Sequence, residues 1–222
     1  MSILKSKGKP NLPSNEEYVV RSYGILDIRA NDEEKTVEGH AAVFDQKTNI
    51  GDYFYEVIER GAFDGTDLED VLMCVNHDLK KIPLARSRRN NGNSTMQLTV
   101  DSKGLFMKSR LDTEQNAEAK SLYSAVKRGD IDGMSFIFRI ADAKWTDLDT
   151  DMPTRHIIKI RKVYELGPVN MPAYTGTDIS ARDQQTLENA RMALENARSG
   201  LENPKVEQNQ LELEKIKLMK FY

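Results

Sequence analysis

Between about 18 and 180 the chain is divided by turn residues into short strand-like runs, and one stretch within that region has the apolar spacing of a helix. Tyr18–Arg29 reads as a first strand, Asn31-Asp32-Glu33-Glu34 as a turn, and Thr36–Phe44 as the returning strand. Val71–His77 is a continuous apolar run with a polar end, the pattern of a strand buried on both faces. Ser94–Val100 and Leu105–Leu111 flank Asp101-Ser102-Lys103-Gly104, which has the length and chemistry of a hairpin turn. Thr113–Arg128 predicts a helix capped by Asp112 or Thr113, with Ala119, Leu122, Tyr123 and Val126 as its apolar stripe and Gly129 as its stop. His156–Leu166 is a further strand, running into a segment that Pro168 and Pro172 keep out of helix. This rhythm predicts a mainly β fold with flanking helices (α+β), an antiparallel barrel or sandwich rather than a parallel α/β sheet.

Three parts follow from the composition. Residues 1–16 form a polar leader, 17–180 a body, and 181–222 a charged helical tail. In the tail, Leu187-Glu188-Asn189-Ala190-Arg191 recurs seven residues later as Leu194-Glu195-Asn196-Ala197-Arg198, and Leu201-Glu202-Asn203 begins a third copy. One leucine per heptad marks either a solvated helix or one that binds a partner. Pro204 breaks the pattern, and Val206–Tyr222 reads as a second charged helix. A net charge of −3 offers no clustered basic surface for nucleic acid. The lone cysteine, Cys74, excludes an internal disulfide and fits a reducing compartment. No apolar run reaches the ~18 residues of a membrane span, and Met1–Asn11 lacks the hydrophobic segment of a signal peptide. A soluble intracellular protein is expected.

The stretch Gly129-Asp130-Ile131-Asp132-Gly133-Met134-Ser135-Phe136-Ile137-Phe138-Arg139 carries the sharpest chemical question. Strand alternation puts Met134, Phe136 and Phe138 on one side and Ser135 and Ile137 on the other. A small hydroxyl in such a run is either a buried serine bonded to a carbonyl or a nucleophile held beside a base. His77 ends the Val71 run and shares a face with Val71, Met73 and Val75, so two strands of one sheet could bring it to Ser135. It reads as a structural histidine or as that base. A third group must orient the imidazole: Glu165 is the first choice, His156 the second and Asp78 the third. Other chemistries fare worse. One cysteine and three scattered histidines do not make a structural zinc site, despite the Cys74-x-x-His77 spacing. A cysteine in mid-strand is inert, and there is neither a glycine-rich phosphate loop nor a G-x-S-x-G elbow. No cofactor or metal is implied.

Four motifs, in order, resemble one known family. They are Val75-Asn76-His77-Asp78 followed by Pro83-Leu84-Ala85-Arg86; Asp101–Asp112 with Gly104-Leu105 and Leu111-Asp112; Gly129–Phe136; and Tyr164-Glu165-Leu166-Gly167-Pro168-Val169 with Pro172-Ala173-Tyr174. Gly39–Phe44 and Ile58–Phe63 fit as well, so that the likeness spans residues 20–176. The chain thereby resembles the tailed-bacteriophage prohead proteases, or capsid maturation proteases. The resemblance implies a serine endopeptidase with a fold like herpesvirus assemblin, a β-barrel flanked by helices. Ser135 would be the nucleophile and His77 the general base. Glu165 would stand where the herpesvirus enzymes use a second histidine, with His156 in the same window. The herpesvirus oxyanion pattern, a glycine followed by paired arginines, does not follow Val169. By the same resemblance the substrates are phage scaffold or the scaffolding part of the major capsid protein, and the enzyme's own terminus. The setting is the procapsid assembling in the host cytoplasm, and self-association is compatible with the likeness. The tail would bind scaffold or be removed by self-cleavage between 176 and 204. The competing expectation is a non-catalytic capsid-assembly or scaffold-binding protein of the same fold.

Overall fold

The computed structural model describes residues 18–23, 27–170 and 188–200. The leader, the Pro172-Ala173-Tyr174 motif and Val206–Tyr222 lie outside the described residues. In chain order the elements are β1 (Tyr18–Tyr23), β2 (Arg29–Asn31), β3 (Thr36–Val43), β4 (Thr48–Ile50), β5 (Phe54–Ile58), β6 (Leu72–Met73), β7 (Ala85–Arg86), β8 (Met96–Val100), β9 (Gly104–Arg110), α1 (Ala117–Arg128), β10 (Gly133–Thr146) and β11 (Thr154–Val169). Residues 188–200 are also helical. The protein is thus mostly β with helices, as expected, and no helix among the described residues is long and apolar enough to cross a membrane.

The antiparallel barrel is corrected. Among the described residues the strands form two open sheets. One runs β1-β10-β11-β5-β4, with β6 on β11 and β7 on β6; the other runs β2-β3-β9-β8. The first expected strand, Tyr18–Arg29, is divided between them, giving β1 to the larger sheet and β2 to the smaller. The larger sheet is mixed because β11 pairs antiparallel with β10 along one edge and parallel with β5 and β6 along the other. After β5 the chain does not fold back as a hairpin. It continues beside β11, where Glu59 N–H donates to the Ile157 carbonyl (3.0 Å), Asp67 N–H to that of Arg161 (2.9 Å) and Asn76 N–H to that of Pro168 (3.1 Å). This irregular parallel track delivers the residues after β6 to the C-terminal end of β11.

The sheets pack through one core. Val37, Leu105 and Met107 from the smaller sheet meet Phe136, Phe138 and Ile160 from the larger, with Ala119 and Leu122 of α1 closing one side. Alternation along β10 works as read from the sequence: Met134, Phe136 and Phe138 are buried in this core, and the rings of Phe136 and Phe138 stack with centroids 4.3 Å apart. Each such ring removed from water contributes about 1.5–3 kcal/mol. The β8–β9 hairpin also forms as expected, with Asp101 Oδ1 accepting from the N–H groups of Lys103 and Gly104. The cap of α1 is Asn116, not Asp112 or Thr113, because Asn116 Oδ1 accepts from Glu118 and Ala119 N–H while Asp112 closes the preceding turn. Gly129 ends the helix at φ 78°. In the tail helix, Ala190 and Leu194 are buried against Ile50 and Phe54, and Arg198 donates to the Thr150 carbonyl at 2.7 Å. That part of the heptad face is therefore occupied by the body; Leu187 and Leu201 lie outside the described residues.

Beneath β1 is a buried ionic trio. Glu56 accepts from Arg21 Nε at 2.7 Å and from Arg155 Nη2 at 2.5 Å, with all three side chains nearly inaccessible. Burial alone would raise the Glu56 pKa, but the two guanidinium charges and their hydrogen bonds outweigh it and hold it at about 2, against an ordinary 4.5. Since the folded value is the lower, the trio's stabilisation is present above pH 4.5 and is lost as pH falls towards about 2. Denaturant midpoints measured across that window are expected to fall steeply for the wild type and less steeply for Glu56→Gln, which is the less stable of the two at neutral pH because two buried arginines lose their counter-ion.

Candidate active site

Ser135 sits in β10 on the face opposite Met134 and Phe136, and it is fully buried. Its cross-strand partner on β11 is Gly167, and the next pair on the same face is Ile137 with Glu165. Simple alternation would place Glu165 with Val163 in the core. A bulge prevents this: the register steps from Ile137–Glu165 to Phe138–Val163, leaving Tyr164 as the extra residue on β11. The bulge turns Glu165 onto the serine's face while Val163 stays with Phe138 in the core.

His77 arrives differently from the sequence expectation. The Val71 run is a strand only at Leu72–Met73, and the chain then turns, with Asn76 at φ 53° and His77 at φ 56°. Two successive left-handed residues, closed by Asp78 N–H donating to the Val75 carbonyl at 3.1 Å, have the form of a type I′ turn. A residue with a Cβ is held there at a cost of about 1–2 kcal/mol. Strand parity thus does not carry His77 to Ser135; the turn does. Asn76 fastens that turn to the end of β11, donating its N–H to the Pro168 carbonyl and accepting from Asn170 N–H through Oδ1 at 2.9 Å.

The three side chains meet in one hydrogen-bonded line. His77 Nε2 is 2.6 Å from Ser135 Oγ, and Nδ1 makes a very short contact with Glu165 Oε2. Glu165, 1% exposed, also accepts from Cys74 N–H at 3.3 Å. A proton on Nδ1, donated to the carboxylate, leaves the Nε2 lone pair for the serine hydroxyl. A second acceptor is present: the Arg21 carbonyl on β1, 2.8 Å from Oγ. The hydroxyl therefore faces both a backbone carbonyl and an imidazole nitrogen.

The alternative third groups lie elsewhere. His156 faces Glu59 Oε1 at 2.5 Å and Thr146 Oγ1 at 3.2 Å, nine residues and roughly 30 Å along β11 from Glu165. Asp78 accepts from Lys80 N–H at 3.2 Å. Burial, with help from Glu165 and Asp78, pushes the Cys74 thiol up to about 11, which suits an inert thiol. Two contributors escaped the sequence reading. The Arg21 carbonyl gives no sequence signal. Gly167 does, as a glycine inside a strand pattern, which marks a close backbone approach: a Cβ built there would stand 1.9 Å from the Cys74 carbonyl oxygen.

A family model described as caudovirus prohead serine protease matches residues 24–192. The prohead protease of Enterobacteria phage HK97 is 29% identical over 148 residues, covering 65% of this chain and 58% of that protein. The chain therefore spans under three fifths of the length of this curated relative. Among solved structures, the bacteriophage T4 capsid assembly protease matches with a TM-score of 0.39 at 10% identity, covering 69% of this chain and 98% of that one.

Proposed function

The chain belongs to the caudovirus prohead serine protease family, and from that premise we propose that it is a serine endopeptidase of capsid maturation, with Ser135 as nucleophile, His77 as general base and Glu165 as the group that orients the imidazole. The observation that carries this reading is the continuous hydrogen-bonded line from Glu165 through His77 to Ser135. Ser135 Oγ attacks the scissile carbonyl as its proton passes to His77 Nε2; the Glu165 carboxylate stabilises the imidazolium so formed. The same proton then goes to the leaving amine. Water, deprotonated by His77 in turn, resolves the acyl-enzyme and returns the hydroxyl. In this reading the resemblance to herpesvirus assemblin lies in the serine–histidine pair, with a carboxylate in the place of the second histidine.

The substrates in this proposal are phage scaffold or the scaffolding segment of the major capsid protein, cut inside the assembling procapsid in the host cytoplasm. The enzyme's own tail, removed from a 17–180 protease domain, is a further substrate. Intact mass of the wild type beside Ser135→Ala, followed over days at neutral pH, tests the reading. Loss of a C-terminal fragment in the wild type alone is the expected result. Equal cleavage in both would remove Ser135 from the role. An unchanged wild type, also inert towards purified scaffold and coat protein, would favour the non-catalytic assembly reading.

A further inference from the structure

A groove of about 490 Å³ lies against the turn that carries His77. One wall is formed by residues between Cys74 and Leu84 and the other by α1 residues between Ala117 and Ala125, with Ile131 at one end. Asn76 and Asp78, the two neighbours of His77, both line it, and Ile131 is four residues from Ser135. The groove therefore adjoins the turn that carries His77, and Ile131 connects its far end to the start of β10. Its walls are mostly apolar: Val75, Leu84, Leu122, Ala125 and Ile131. At its rim Lys81 Nζ and Glu118 Oε1 are paired at 2.6 Å, so each cancels the other's charge as a selector. The lip is unusual in a separate way. Ile82, which lines the groove, is 82% exposed, which places a large apolar side chain in water beside an apolar cavity. Such a surface marks a place that another apolar group covers.

We propose that this groove is the side-chain specificity site of the enzyme, taking a bulky apolar residue (leucine, isoleucine, methionine or phenylalanine) that lies within a few positions of the scissile bond. The inference rests on the reading of Ser135 and His77 as the catalytic pair. Alternate residues of an extended peptide are roughly 6–7 Å apart, so a chain with its scissile carbonyl at Ser135 reaches the far side of the His77 turn within a few residues. The volume is within the range of ~300–1,000 Å³ typical of ligand pockets. An anionic side chain there would lose water without gaining an unpaired counter-ion, and is rejected on that ground. Ala125 and Ile82 both line the groove, one from each wall.

Binding is measured first without turnover. Full-length Ser135→Ala protein is titrated with ten-residue peptides that differ at one position, which is leucine, phenylalanine, alanine, aspartate or lysine, the position being moved along the peptide. Leucine or phenylalanine at one position is expected to bind at least tenfold more tightly than alanine or aspartate there, in keeping with what an apolar pocket discriminates. Adding Ala125→Phe, which fills the groove, should erase that difference. Adding Ile82→Asp, a change at an exposed position that does not test folding, should reduce it severalfold. Equal affinity for apolar and charged peptides, or a preference that survives both substitutions, overturns the proposal. Labelling of Ser135 by a small fluorophosphonate in the wild type reports on the catalytic reading separately. Selective peptide binding without any labelling of the wild type would keep the groove and remove the protease assignment.

Discussion

Glu165→Gln is expected to lower kcat about ten-thousandfold while the fold survives. The substitution keeps the size of the side chain, and an amide oxygen still accepts the Cys74 N–H that Glu165 accepts at 3.3 Å. The change lies on the side facing His77. A carboxylate requires a proton on Nδ1, which leaves the Nε2 lone pair towards Ser135 Oγ, 2.6 Å away. An amide nitrogen donates to Nδ1 instead. The ring then carries its proton on Nε2 and points a donor at the hydroxyl whose proton it should accept. The comparable acid-to-amide change in the reference serine-protease triad costs about 10⁴ in kcat, equivalent to about 5 kcal/mol of transition-state stabilisation. The measurement is a rate of self-cleavage or scaffold cleavage for Glu165→Gln beside His156→Ala, with thermal unfolding of both. His156→Ala is expected to stay near wild-type activity, since His156 bonds Glu59 and Thr146 at the other end of β11. A loss of less than tenfold in Glu165→Gln, or a larger loss in His156→Ala, would transfer the orienting role away from Glu165.

Much of this site is legible in the sequence, but not all for the reason first apparent. The alternation of Met134, Ser135 and Phe136 is a local property of a strand, and it works. The parity of Val71, Met73, Val75 and His77 does not, because the chain leaves the strand after Met73 and turns through two left-handed residues. His77 still reaches Ser135, since the turn is fastened to Pro168 and Asn170 at the end of β11. Glu165 shows a similar reversal: alternation with Val163 would bury it in the core, and the extra residue Tyr164 rotates it to the serine. A bulge and a positive-φ turn are set by long-range pairing, and neither changes the hydrophobic pattern from which strands are read. The barrel expectation fails on the same ground. Nothing in the composition of 59–71 says that it will run parallel along β11 rather than close a hairpin. The Arg21–Glu56–Arg155 trio is likewise assembled by topology from residues that look like ordinary surface charges.

Gly167→Ala is expected to separate the two arms of the site. Gly167 is the residue between them: Ser135 is its cross-strand partner on one side, and the Cys74 backbone crosses on the other. A methyl group there would meet the Cys74 carbonyl oxygen at 1.9 Å and its carbonyl carbon at 3.0 Å. Both are backbone atoms, so no side-chain rotation relieves the overlap. The segment 74–77 must lift, and His77 must lift with it. A displacement near 1 Å in a catalytic pair costs about a hundredfold in rate, while overpacking of this kind costs about 1–3 kcal/mol of stability. Activity should therefore fall far more than the melting temperature. Gly92→Ala is the matched control, because a Cβ at Gly92 meets nothing within 4 Å. Labelling of Ser135 by a fluorophosphonate in the three proteins separates the outcomes. Slow labelling in Gly167→Ala with a fold close to wild type is expected, because the serine is present but the imidazole beside it has been moved. Labelling at the wild-type rate would mean that the approach of Cys74 to Gly167 does not set the distance from His77 to Ser135, and that the turn alone, through Asn76, holds the imidazole in place.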